Sequence, residues 1–256
     1  MLITTYRKHF VRLSHVYFSS SAEPFDVKKH KTGGVVFLHG TEIPPKSGVL
    51  FTTQNTLVKD LSLPQEELFL TLGKHLRQYI KRSEKENIVE LRFYDSEMLI
   101  RETSVFEDCK KLFEKMYSDK GIDSKFNTSL AKKYCQNGAL LIGVAYINSV
   151  AVGFSAVIYH QENARLWLTA FNFRDDVHDS QILSRAHQQL DWKLLLECKK
   201  RGVLKYDFGG VESFDEPNGI DQFKMNFERN GKLTYNNYLI HRNLIGKLAL
   251  KVLLKK

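Results

Sequence analysis

The sequence predicts an α+β fold in which a mixed β-sheet is flanked by helices. Three observations carry this. Strand-like stretches at 139–147, 152–159 and 164–173 follow one another across short polar turns, Asn148-Ser149 and Gln161-Glu162-Asn163. Turns that short join antiparallel neighbours. A long helical pattern follows, SQILSRAHQQLDWKLLLECKKRG, with Leu183, Ala186, Leu190, Leu194 and Cys198 as its buried line and Gly202 as its C-cap. Only a tight connection then leads into a further strand at 203–208. Meander, helix, strand and a last short helix in that order make a mixed layer.

The elements upstream read in order. Short strands at 15–19, 35–39 and 49–53 are punctuated by Gly33-Gly34 and Pro44-Pro45. The stretch DLSLPQEELFLTLGKHLRQYIKRSEKEN is a helix with Ser62 as N-cap and Pro64 in the first turn. Leu68, Leu72, Leu76, Tyr79 and Ile80 form its apolar stripe, and Lys74, Arg77, Lys81, Arg82 and Lys85 fall mostly elsewhere. Those five charges fit a solvated face or a patch for an anionic substrate. A strand at 89–93 comes next. A helix starting at Ser104 follows, with Val105, Cys109, Leu112 and Met116 at helical spacing. A shorter helix covers 129–136 and stops near Gly138. The expected domains are 1–103, 104–240 and a terminal segment, 241–256. That segment, HRNLIGKLALKVLLKK, has five Lys/Arg and no acid. It reads as a cationic amphipathic helix with Leu244, Leu248 and Val252 on one side, Ile245, Ala249 and Leu253 beside them, and Lys247, Lys251 and Lys255 on another. Docking on the protein body and contact with an anionic membrane both fit it.

Composition narrows the classes. With 43% hydrophobic and 26% charged residues over 256 positions, the chain reads as an ordinary globular protein. No apolar run approaches the roughly 18 to 20 residues that a membrane span needs, and the N-terminus does not read as a signal peptide. A net charge of +9 favours acidic partners: nucleic acid, anionic lipid or phosphate-bearing substrates. Cys109, Cys135 and Cys198 are far apart, without metal-ligand spacing, and read as reduced, buried thiols. Ser184 and His187 share a helical face, but no third group is evident, so no nucleophile–base pair is expected there.

The stretch KYDFGGVESFDEPNGIDQFKMNFERNG, 205–231, is the least ordinary. Ile220, Phe223 and Phe227 stand at i, i+3 and i+7, one apolar stripe of a helix, yet the i+4 place holds Lys224. An unpaired ammonium is costly to bury, so Lys224 must pair, snorkel or face a cavity. Gly209 and Gly210 either make a plain sharp turn or let backbone approach a ligand. Asp207 points away from the face of Tyr206 and Phe208 and can brace the following loop.

From 104 to 238 the order of elements resembles the GNAT acyltransferase fold. The motif stretch resembles the Fem family, the peptidoglycan interpeptide-bridge aminoacyltransferases built from two GNAT-like halves. KKRGVLKYDFGGV and GIDQFKMNFERNG contain that family's K-x-x-G, Y-D-F-x-G and G-x-x-x-F-K-x-x-F pattern. LRQYIKRSEKEN is similar to its first-domain helix. The resemblance implies a GNAT-like catalytic half preceded by a smaller, reduced GNAT-like half. It implies transfer of an aminoacyl or acyl group to an amine of a cell-envelope precursor: peptidoglycan, or a nucleotide- or lipid-linked amino sugar. Lys224 would stabilise the oxyanion, Phe223 would shape the wall, and Tyr206, Asp207, Gly209, Gly210, Arg77 and Lys81 would bind substrate. The general base stays open among Asp207, Glu212, Asp215, Glu216 and Asp221. No metal and no resident cofactor are implied. The donor would be aminoacyl-tRNA, with acyl-CoA as the alternative. The stretch FRDDVHDSQ has no glycine and three aspartates where a CoA enzyme cradles pyrophosphate. The expected location is cytoplasmic, with peripheral contact at the inner face of the membrane. An acyl-CoA-dependent N-acyltransferase of an amino sugar and a non-catalytic GNAT-like binding module are the competing readings.

Overall fold

The computed structural model describes residues 1–8, 10–20, 23–41, 44–45, 48–174 and 177–253. In chain order the strands and helices are β1 (Leu2–Lys8), β2 (Val11–Tyr17), β3 (Val35–Thr41), β4 (Val49–Asp60), α1 (Gln65–Thr71), α2 (Lys74–Glu86), β5 (Glu90–Tyr94), α3 (Ser96–Arg101), α4 (Ser104–Ser118) and α5 (Thr128–Gln136). There follow β6 (Leu140–Ile147), β7 (Val150–His160), β8 (Asn163–Phe171), α6 (Ser180–Lys200), β9 (Lys205–Val211), α7 (Gly219–Met225), β10 (Lys232–His241) and α8 (Leu244–Leu253). The chain divides into two compact units. One is Met1–Thr56 with Gly210–Pro217 and Lys232–Lys256; the other is Leu57–Gly209 with Asn218–Gly231.

The second unit is a mixed sheet flanked by helices, as the strand–helix pattern requires. β5, β6, β7 and β8 pair antiparallel in sequence order, and β9 returns parallel to β8. The Asn148-Ser149 turn between β6 and β7 has φ of 49° and 65°, the backbone that matches strand twist in a two-residue hairpin. Successive strand residues point to opposite faces. Ser155 of β7 accordingly reaches Asp191 of α6, while Phe154 packs edge-on against Phe126, which itself meets Phe113 of α4. The core under α6 gathers Val89, Ala145, Ile147, Val152, Phe171, Leu183, Ala186 and Leu190. Gly153 makes room there: a Cβ would lie 2.2 Å from the Phe171 ring.

The first unit pairs β1 with β2 antiparallel, β2 with β3 parallel and β3 with β10 antiparallel. Val16, Phe25, Val36, Leu38, Tyr238 and Ile240 fill one side. α8 docks here through Gly246, where a Cβ would meet the Gly34 carbonyl oxygen at 2.1 Å, and through buried Leu250. Leu244, Ile245 and Leu248 of the same helix remain exposed.

Five departures from the sequence expectation each have a local reason. β1 puts Thr4 on its buried face, which blurs the apolar alternation. β10 carries Asn236-Asn237 in its middle, a turn-like pair, yet the Asn237 side chain accepts the Gly40 N–H at 3.0 Å. The helix expected to run through residue 73 breaks there into α1 and α2, because the Gly73 N–H is given to the Asn226 carbonyl at 2.8 Å. α3 is new: Asp95 caps it by accepting the Glu97 and Met98 N–H groups. The predicted stripe of α7 also fails at one end, since Ile220 is exposed while Phe227 is buried.

Candidate active site

The motif helix α7 is seven residues long, too short to persist alone in water. Its ends are held instead. At the N-terminus Asn218 accepts the Ile220 and Asp221 N–H groups, and Asp221 accepts the Asn218 N–H in return, a capping box. Past the C-terminus, Lys59 reaches in from β4. Its ammonium donates to the Phe227 carbonyl at 2.9 Å and to Thr71 Oγ1 at 2.7 Å, and pairs with Glu228 at 3.2 Å. The Gly73 N–H adds the bond to Asn226 already described. Lys59 was missed from sequence, although it gives the same signal as Lys224. It stands at alternate positions with Leu57 of the same strand and Leu61 just past its end, all three buried.

Lys224 is half-buried on the side of α7 turned toward β9. Gly209, at φ +76°, brings the backbone close: a Cβ there would lie 4.0 Å from Lys224 Nζ. The φ value suits glycine. Asp207 holds this bend, because its Oδ1 accepts the Gly209 N–H at 2.7 Å while Oδ2 pairs with Arg165 of β8. Burial pushes the Lys224 ammonium below the ordinary lysine value. The neighbouring Arg165 charge pushes the same way, and Asp207, Asp221 and Asp191 oppose it. The result is a desolvated cation set among three carboxylates and a second cation.

Phe223, beside Lys224, stacks on the His187 imidazole with ring centroids 4.4 Å apart. Tyr206 lies deeper. It is wholly buried, edge-on to Phe208 at 4.9 Å, and its hydroxyl has no hydrogen-bond partner. Burial pushes its pKa well up. The structure thus brings Asp207, Gly209 and Lys224 together with Arg165, which sequence reasoning did not single out; nothing marks an arginine inside a strand as a partner for the next strand's aspartate. Gly210 belongs to the other unit, where its α-carbon faces the Gln54 side chain. Arg77 and Lys81 make their contacts on α1 and α2: Arg77 donates to the Leu70 carbonyl, and Lys81 lies 5.7 Å over the Phe69 ring.

Among the described residues no group of three or more His, Cys, Asp or Glu could hold a metal. All three cysteines are buried free thiols, and burial pushes Cys198 up to about 12. The N-terminus of α6 is occupied by its own chain, since the Asp179 carboxylate accepts the Gln181 N–H at 2.7 Å. Of the other two aspartates expected to repel a pyrophosphate, Asp175 and Asp176, both lie outside the described residues.

A model of the FemAB family matches residues 185–233, the segment from α6 through the motif helix. No curated protein matches the sequence. Two solved structures share the fold across almost the whole chain. FemX is 10% identical with a TM-score of 0.59, covering 99% of this chain and 86% of its own. The C-terminal domain of a protein named as a lysylphosphatidylglycerol synthetase, from Agrobacterium fabrum, is also 10% identical. Its TM-score is 0.53, covering 97% of this chain and 83% of its own. At such identity the likeness is one of fold, a mixed sheet flanked by helices.

The Lys59 anchor makes a stability prediction. Lys59→Met leaves the Phe227 carbonyl and the Glu228 carboxylate without a buried donor, a loss of about 1–3 kcal/mol. Urea unfolding of the variant is expected to show that loss with an unchanged slope. Stability equal to wild type would show that α7 does not depend on this anchor.

Proposed function

We propose, from the premise that this chain is a Fem-family protein with a GNAT-like fold, that it transfers an aminoacyl group to an amine of a cell-envelope precursor. The product is an amide. The observation that carries this reading is the half-buried Lys224 ammonium, held beside the Gly209 bend within a segment matched by the FemAB model. A neutral amine attacks the ester carbonyl carbon, negative charge moves to the carbonyl oxygen, and the C–O bond to the donor then breaks. Ester aminolysis is favourable overall, so positioning and stabilisation of the oxyanion supply most of the catalysis. A cation already stripped of water acts there without reorganising solvent. Phe223 walls the same place, and Asp207 with Gly209 sets the backbone beside it.

Aminoacyl-tRNA is the donor we favour. The chain carries a net +9, and the Asp179 cap fills the helix end that a pyrophosphate would need. Arg77 and Lys81, with Lys74 and Lys85 on the same helix, are the candidate phosphate contacts. Acyl-CoA is the second reading, favoured only by the fold. A non-catalytic module gives no reason for a desolvated lysine in the motif. The envelope acceptor is placed in the cytoplasm, and α8 offers a membrane contact: exposed Leu244, Ile245 and Leu248 stand beside Lys247. Basic residues near anionic lipid contribute about 1 kcal/mol each, and apolar insertion adds to that.

Three outcomes are expected. Lys224→Met lowers kcat by about 100- to 1000-fold with an unchanged melting temperature; turnover like wild type removes the oxyanion role. Total tRNA binds at low salt and weakens steeply as salt rises, because each neutralised phosphate releases counterions. Tight acetyl-CoA binding without tRNA binding would reverse the choice of donor. The protein co-sediments with vesicles of phosphatidylglycerol more than with neutral vesicles, and Leu244→Ser with Leu248→Ser abolishes the difference; equal sedimentation removes the membrane contact.

A further inference from the structure

The acyl-transfer reading leaves one task unassigned: the attacking nitrogen must give up a proton. Two of the acids singled out from the sequence are already engaged. Asp207 is committed to Arg165 and the Gly209 N–H, and Asp221 to the capping box. A different pair lies behind Phe223. His187 and Asp191 stand one turn apart on α6, with His187 Nε2 3.4 Å from Asp191 Oδ2.

Asp191 is 1% exposed. Its Oδ1 accepts the Ser155 hydroxyl at 2.5 Å, while its Oδ2 has no hydrogen bond. Thr169 Oγ1 lies 3.1 Å from the same His187 Nε2 and 3.0 Å from Ser155 Oγ. The imidazole is stacked by Phe171 at 4.3 Å and by Phe223 at 4.4 Å. Tyr206, whose buried hydroxyl also lacks a hydrogen bond, feels the Asp191 charge. Burying a carboxylate oxygen that no hydrogen bond satisfies carries a cost that an apolar residue would not. Such a cost persists in a fold where the group has work to do. An imidazolium at His187 would set a positive charge against that carboxylate. Two phenyl faces are also favourable surroundings for a cation.

We infer that His187, backed by Asp191, is the proton acceptor for the attacking amine at the Lys224 site. The inference rests on the acyl-transfer reading above. His187 is the member of the pair that reaches the surface, with its side chain 13% exposed against 1% for Asp191. Hydrogen at Nε2, directed to Asp191 and Thr169, leaves the Nδ1 lone pair as acceptor. As the N–C bond forms, one N–H bond breaks and its proton goes to the imidazole. As the C–O bond breaks, that proton goes to the leaving oxygen, which departs as a hydroxyl. Amine and ester become amide and alcohol with no proton left over. Asp191 carries the counter-charge while the imidazolium exists. The charged groups placed about this site are Asp191, one turn away on the same helix, Lys224 and Asp221 on α7, Arg165 on β8 and Asp207 on β9; β7 presents Ser155, and β8 also presents Thr169 and Phe171.

The test is a pH–rate profile with the amine acceptor that supports wild-type turnover, repeated with hydroxylamine, a strong nucleophile that is neutral at neutral pH. His187→Gln is expected to lower kcat with the amine by about 100- to 10,000-fold, to leave KM within a few-fold, and to lose the acid limb of the profile. With hydroxylamine the variant should recover to near wild-type rate. Asp191→Asn, close in shape and checked for melting temperature, should move the acid limb to lower pH. Equal rates for wild type and His187→Gln with the amine, or equal losses with both nucleophiles, would overturn the inference while leaving acyl transfer intact. Absence of acyl transfer by wild type from any donor would overturn both.

Discussion

A lysine charge held out of water beside a bent strand end is the constraint around which the second unit is organised. Lys224 can be half-buried only if its charge is balanced, and the balance comes from three different elements. Asp207 on β9 and Asp221 on α7 are joined by Asp191 on α6, and Arg165 on β8 pushes against them. The Arg165–Asp207 pair does two jobs at once. It spends part of the Asp207 charge, and it fixes the carboxylate that holds the Gly209 N–H. The backbone bend and the local field are therefore set by the same side chain.

A site this dependent on geometry needs a fixed helix, and α7 cannot supply its own rigidity. Seven residues fall well short of the roughly 12 to 15 at which an isolated helix becomes even marginal. The capping box fixes one end. Lys59, Gly73 and Glu228 fix the other, so that the break between α1 and α2 falls at a glycine bonded to the motif. The aromatic line Phe208–Phe227–Phe223–His187 then ties the helix to β9 and α6, with neighbouring centroids 5.4, 5.4 and 4.4 Å apart.

Much of this unit was legible in the sequence. The meander, the long helix and the returning strand follow from apolar runs and short turns, which are local signals. The anomaly at Lys224 was legible too, because a lysine breaks a periodic stripe. What the sequence hid is pairing between distant segments. Arg165 and Asp207 are 42 residues apart, and Ser155 and Asp191 are 36 apart; neither position looks unusual in its own neighbourhood. His187 shows no third group in the sequence because nothing local marks Asp191, one turn further along α6, as its buried partner. β1 and β10 were overlooked because buried threonine and paired asparagines satisfy their hydrogen bonds in ways that a hydrophobic pattern does not record. Ile220 misled for the opposite reason: its spacing fitted a stripe that ends at the edge of the fold.

The central claim is that Lys224 is a desolvated cation whose charge Asp207 helps to hold. The most direct measurement is an NMR titration of the Lys224 ε-methylene, assigned by comparison with Lys224→Met, in wild type and in Asp207→Asn. The account predicts a midpoint below that of ordinary surface lysines, because burial and Arg165 outweigh the carboxylates. It predicts a still lower midpoint in Asp207→Asn, where one stabilising charge is gone. A midpoint at the ordinary lysine value, unmoved by the Asp207 substitution, would contradict it.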